Sequence, residues 1–174
     1  MSVPPDSTPS HSKIIRPISS RDPEETHRAA TPLELLFDLC FVVAIAQASS
    51  GLHHAFSHGT GAPAILSFVM VFFAIWWAWT GFTWFASAFD NDDVVYRLLV
   101  LVQICGLLVL AAGVPRGFEE HDFGMITLGY VIMRIGLIGL WLRAASSEAG
   151  LKKTAYRYVI GIVLCQIGWV GLLF

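Results

Sequence analysis

The chain has 174 residues, 55% of them hydrophobic and 14% charged, with a formal net charge of −2 and a mean hydropathy of +0.64. That is far more apolar than a soluble globular domain and marks a membrane protein. The small net charge, with basic residues at the ends of apolar runs and not along one face, excludes a nucleic-acid partner.

Residues 1–30 mix proline, serine and charge with no apolar core region. They are not a cleavable signal peptide and read as a disordered cytoplasmic tail. From residue 31 to 174 the chain reads as one transmembrane helical domain. A hydrocarbon core takes about 20 helical residues, and five runs fit, at 33–55, 63–88, 94–114, 124–142 and 156–174. The pieces between them, SHGTGAP, FDNDD, VPRGFEEHD and RAASSEAGLKK, carry the chemistry of turns between antiparallel helices. The predicted fold is all-α, a polytopic transmembrane bundle of about five spans.

Lysine and arginine set the orientation. The tail holds Lys13, Arg16, Arg21 and Arg28, and the fourth loop Arg143, Lys152, Lys153 and nearby Arg157, against none in the first loop and only Arg116 in the third. The amino terminus is therefore expected in the cytoplasm. The last span stops at GWVGLLF without a polar anchor, so a partial protein that continues with further helices is expected.

The first span opens with TPLELLFDLCFVVAIAQ. Thr31 with Glu34 three residues on forms a capping box, and Pro32 sits where a first-turn proline costs no hydrogen bond. Asp38 lies about a turn deeper, where an uncompensated charge costs about 2.5–3.5 kcal/mol. The third span, starting from the same side with DDVVYRLL, places Arg97 at much the same depth. An Asp38–Arg97 pair between helices is one expectation. The other is that Arg97 pairs with Asp93 four residues before it or snorkels to the interface; both can hold as one network.

The combination of TPLELLFDLCFVVAIAQ, the FDNDDVVYRLL start of the third span and RDPEETHRAA just ahead of the first closely resembles bacterial low temperature requirement protein A. The resemblance covers the chain after the tail. It implies a helical membrane protein of the bacterial inner membrane, a family whose members typically continue with further spans, and no settled substrate. A second likeness is local: E-x-x-x-D-x-x-F-x-x-A-I, here Glu34, Asp38, Phe41, Ala44 and Ile45, is similar to the first-span signature of the endolysosomal potassium channel family, whose signature helix lines the pore. The aspartate there follows a serine and precedes a small residue, whereas Phe37 and Leu39 flank Asp38 here.

Arg134, in YVIMRIGLIGLW, lies near the middle of the fourth span, too far from either end to snorkel easily. Its counter-ion is a substrate anion, a residue of further helices, or Asp38 reached by a long side chain. Gln47, Gln103 and Gln166 lie at central depths and either solvate the guanidinium or hold the bundle together by interhelical hydrogen bonds. The second span carries Trp76, Trp77, Trp79 and Trp84, and Trp76, Thr80 and Trp84 stand at i, i+4 spacing on one face, a stripe that reads as packing or an interface belt. His53, His54, His58 and His121 map to the outer side near Glu119, Glu120 and Asp122 in no known ligand pattern and read as exposed loop histidines. Ala44/Ala48 and Gly136/Gly139 read as close helix contacts. Cys40, Cys105 and Cys165 fall inside apolar runs with no CxxC spacing, so they read as packed free thiols, and no metal or other cofactor is implied.

Two functions fit these residues. In the first, Asp38, Arg97 and Arg134 line a hydrated route and the protein is a transporter or channel for a small ion. In the second it is a non-transporting scaffold or sensor, whose charges fix helix register and whose basic loop holds anionic lipid. An enzyme is not expected: no nucleophile–base pair, carboxylate dyad or metal set sits at matching depth. The expected partners are the lipid bilayer, a small ion and, as an open alternative, further copies of the chain.

Overall fold

The computed structural model describes residues 18–20, 31–147 and 149–171, and it is a bundle of five α-helices. Helix α1 spans Pro32–Ser57, α2 Gly61–Ala88, α3 Val94–Glu119, α4 Gly124–Ser147 and α5 Lys152–Gly171, the last preceded by a 3₁₀ turn at Ala149–Leu151. Among the described residues four of them, α1 to α4, are long and apolar enough to cross a membrane, against the five spans predicted; the fifth predicted span, 156–174, lies partly outside the described residues. Lys152, Lys153 and Arg157 make the first turns of α5 more polar.

The local chemistry explains the helix ends. Thr31 is the extended N-cap of α1, its hydroxyl accepts the Glu34 N–H at 3.2 Å, and Pro32 follows as the first helical residue. This is the start the sequence predicts. α1 ends at Ser57 with His58 as its C-cap, and Gly59 just beyond, at a φ of +78° open to glycine at no steric cost, lets the chain reverse within His58–Thr60. The third predicted loop is shorter than expected. α3 continues through Pro115 to Glu119, because a proline one turn from the end removes a single hydrogen bond where the chain is about to leave the helix. The fourth loop contracts likewise, since α4 runs to Ser147 and α5 starts at Lys152.

The α3/α4 hairpin forms the centre and has the most extensive packing; α1 lies against α2 and α3, α2 also touches α4, and α5 rests on α4. Glycines let the central pair approach. A Cβ on Gly129 would come within 2.5 Å of the Gly106 carbonyl oxygen, and one on Gly136 within 2.8 Å of that of Leu99. Ala44 and Ala48, predicted to mark a close helix contact, are both fully buried in the core. Phe37 and Phe82, with ring centroids 4.2 Å apart, join α1 to α2 in the core.

Of the tail expected to be disordered, Ile18, Ser19 and Ser20 are among the described residues, and they meet the bundle. Ser19–Ser20 (β1) pairs antiparallel with Phe89–Asp90 (β2), and the buried Ile18 donates its N–H to Ser147 Oγ at 3.0 Å. Backbone N–H and C=O groups in an extended loop seek partners, and this short bridge supplies them. The rest of the predicted tail lies outside the described residues. The contact gathers the tail, the α2–α3 loop and the α4 terminus at one end of the bundle, here called the tail end.

Candidate functional site

Two aspartates of the FDNDD loop divide the charge at the tail end. Asp93 is the extended N-cap of α3; its carboxylate accepts the Tyr96 N–H at 2.9 Å and also a forked pair of hydrogen bonds from Arg143, with Nη1 to Oδ1 at 2.7 Å. Its side chain is wholly buried and that of Arg143 nearly so. Asp92 faces outward and takes Arg97, with Nε to Oδ1 at 2.8 Å and Nη2 to Oδ2 at 2.7 Å.

The Asp38–Arg97 pair predicted from depth is therefore not formed, and neither is an Arg97–Asp93 pair. Depth was matched but direction was not. Arg97 shares a shallow hollow with Leu33 and Leu36 of α1, and at 3.6 residues per turn Asp38 lies roughly 160° round the helix from Leu36. Its carboxylate points toward α2 and accepts the Trp79 indole N–H at 2.8 Å, on an exposed edge of the bundle. The Trp79 ring packs on Phe41, with centroids 5.4 Å apart. Glu34 is buried at the α1 start and engaged there.

Arg134 is buried in the middle of α4, only 5% exposed. Tyr130, one turn earlier on α4, supplies its hydrogen bond, Nη2 to the phenol oxygen, and the guanidinium carbon lies 4.5 Å from the tyrosine ring centroid. Gly81 of α2 leaves the space for it: a Cβ there would stand 3.2 Å from Nη1. None of Gln47, Gln103 and Gln166 solvates it, contrary to one expectation. The Gln103 side chain is buried beside Gly136, with its amide nitrogen unpartnered among the described residues, as are both polar atoms of Gln166. Gln47 instead lines a cavity at the far end.

The guanidinium lines two adjoining cavities between α2, α4 and α5, about 200 Å³ and 320 Å³ in volume. They share Trp77, Arg134, Tyr158 and Ile162; the smaller adds Trp84 and Trp141, the larger Arg157. No carboxylate lines either cavity among the described residues. Tyr158 lies flat on Trp141, centroids 4.2 Å apart and planes 4° from parallel. Part of the α2 tryptophan stripe is thus the wall of a cleft and not a belt alone.

At the far end a cavity of about 500 Å³ collects His54, His58, His121 and Glu119 around Gln47. His54 and His58 are exposed, as the sequence suggests, with ring centroids 4.2 Å apart. Among the described residues no group of three or more side chains is placed to hold a metal ion.

Sequence reasoning missed the Asp93–Arg143 pair, the Trp79–Asp38 bond, Gly81 and the place of Arg157 in the cleft. One signal was available: Tyr130 and Arg134 stand at i, i+4 on one helix, the spacing at which side chains meet.

Residues 29–174 match the family model described as bacterial low temperature requirement A protein (LtrA). An uncharacterized protein of Rhizobium meliloti (strain 1021) is 37% identical over 139 residues, which are 79% of this chain and 32% of that protein. The chain thus spans about a third of the length of that relative. No solved structure matches.

Proposed function

The chain belongs to the bacterial low temperature requirement A family, and from that premise we propose that it is a plasma-membrane transport protein for a small ion, with Arg134 as its intramembrane binding group. One observation carries the reading: a guanidinium deep in an apolar helix, nearly fully buried, with a tyrosine but no carboxylate for company among the described residues. An arginine at a helix centre costs about 2.5–3.5 kcal/mol on the insertion scale. A cation–π contact returns about 0.5–2 kcal/mol, and Tyr130 engages one of five N–H donors. The charge that remains favours an anion, which moves the site from Asp38 to Arg134. With the tail end cytoplasmic, as the basic residues favour, Arg157 stands at the inner mouth of the route.

A second reading, a cation path along α1, draws on Asp38. Its carboxylate sits on an exposed edge with Trp79 as its partner, a place that further helices or a second copy would cover.

The test is flux into proteoliposomes, of chloride, acetate and phosphate and of potassium, sodium and protons, through the protein and its Arg134→Met and Asp38→Asn variants. Anion flux lost in the first variant and kept in the second is expected. Cation flux that depends on Asp38 would move the site to α1. No flux of any ion, with all forms folded, would turn the reading to a non-transporting scaffold or sensor.

A further inference from the structure

Resting on that reading of Arg134 as a binding group, we infer that the cleft between α2, α4 and α5 takes an organic carboxylate with an apolar body, its head on Arg134 and its body against the indole and phenol rings. Three features of the cleft define the ligand.

The first is charge. Arg134 and Arg157 line the same cavity, and neither has an acidic partner among the described residues. At 1.5 Å per residue, Arg157 lies roughly 8 Å along α5 from its start and Arg134 roughly 20 Å back from the end of α4. The two ends meet at the short α4–α5 turn, so the guanidinium groups mark successive depths of one path. An arginine fork matches a carboxylate in two parallel hydrogen bonds, and its strength rises where water is excluded.

The second is the wall. The rings of Trp77, Trp84, Trp141 and Tyr158 line the cleft together with Ile162 and Leu137, and Trp141 and Tyr158 are stacked on one another. Thr80 is the other hydroxyl-bearing residue lining it besides Tyr158, and its Oγ1 is committed to the Trp76 carbonyl at 2.9 Å. A small hydrated inorganic anion would leave these rings unused. Ligand sites of this kind are mostly apolar, with few polar groups that fix orientation.

The third is size. Cavities of about 200 and 320 Å³ hold a molecule of one or two rings or a medium-length acyl chain, and are too small to enclose a two-chain phospholipid. Gly81 also matters here, because a side chain at that position would press on the guanidinium from the α2 side.

The experiment is a titration of the intact purified protein in detergent, read by tryptophan fluorescence, with octanoate and 1-naphthoate as probes. Their neutral amides, inorganic phosphate and an anionic phospholipid serve as competitors. Saturable binding of the carboxylates is expected, at least tenfold tighter than of the amides, and weakened tenfold or more by Arg134→Gln. Arg134→Lys should restore part of it. Trp84→Ala, at a residue 62% exposed and outside the core, should weaken naphthoate without altering the fold. Equal affinity for acid and amide, or for wild type and Arg134→Gln, would overturn the inference. So would displacement by phosphate or by phospholipid at lower concentration than by octanoate, which would make the occupant an inorganic anion or a lipid headgroup. Carboxylate binding without any flux leaves this inference standing and sinks the transport reading; flux of inorganic anions without carboxylate binding does the reverse.

Discussion

The Arg143 guanidinium closes on the carboxylate of Asp93, fifty residues earlier in the chain, and so ties the end of α4 to the start of α3. The same carboxylate caps α3 through Tyr96, so one buried group serves two helix ends. Removing one partner of a buried pair strands the other charge at a typical cost of about 3–5 kcal/mol. Arg143→Met is therefore expected to lower the thermal midpoint in detergent far more than any exposed arginine change. Asp93→Asn keeps the cap, as asparagine is as good an N-cap as aspartate, and should cost less than Asp93→Ala, which loses cap and pair together.

Close approach of α3 and α4 rests on Gly106 and Gly129. A Cβ on either would stand 2.4–2.8 Å from the facing helix, backbone atoms included, so the hairpin must open to admit it. Gly129→Ala should destabilise by about 1–3 kcal/mol, the usual penalty of overpacking. Gly161→Ala on α5 meets nothing within 4 Å, and the exchange should be neutral or slightly stabilising through helix propensity. Thermal unfolding of the two variants side by side checks both signs.

Asp38 and Arg97 have separate partners, Trp79 and Asp92. A double-mutant cycle with Asp38→Asn and Arg97→Gln should be additive within error. The cycle of Asp92→Asn with Arg97→Gln should show coupling that fades at high salt, because that pair is half exposed and screened. Coupling between Asp38 and Arg97 would mean that α1 is rotated from the orientation described above.

Tyr130 holds Arg134 in two ways, by its ring face and by its hydroxyl. Tyr130→Phe keeps the first and deletes the second, at an expected cost of about 1.5–3 kcal/mol for a bond to a charged group. Tyr130→Leu loses both and should cost more. If Arg134 is a binding group, Tyr130→Phe also weakens carboxylate affinity, which a purely structural tyrosine would leave alone.

The sequence by itself determined the five helices and the first two turns, because apolar length, Thr31–Pro32, Gly59 and the FDNDD loop act through the local backbone, while α3 and α4 run past their predicted ends. It also identified Arg134 as a charge without an obvious partner, since position along a span is legible as distance from its ends. It did not determine which charges meet. Helices that are apolar on nearly all sides carry no stripe to say which face turns inward, so the rotation of α1 that sends Asp38 to Trp79, and of α3 that leaves Arg97 outside with Asp92, had no local signal. Those rotations follow from shape: Gly106 against Gly129, Gly136 against Leu99, and Phe37 against Phe82 allow one close fit, and the charges take the partners that this fit presents. The cleft around Arg134 is likewise a product of tertiary structure, built where α5 rests on α4 beside α2 from residues as far apart in the chain as Trp77 and Tyr158.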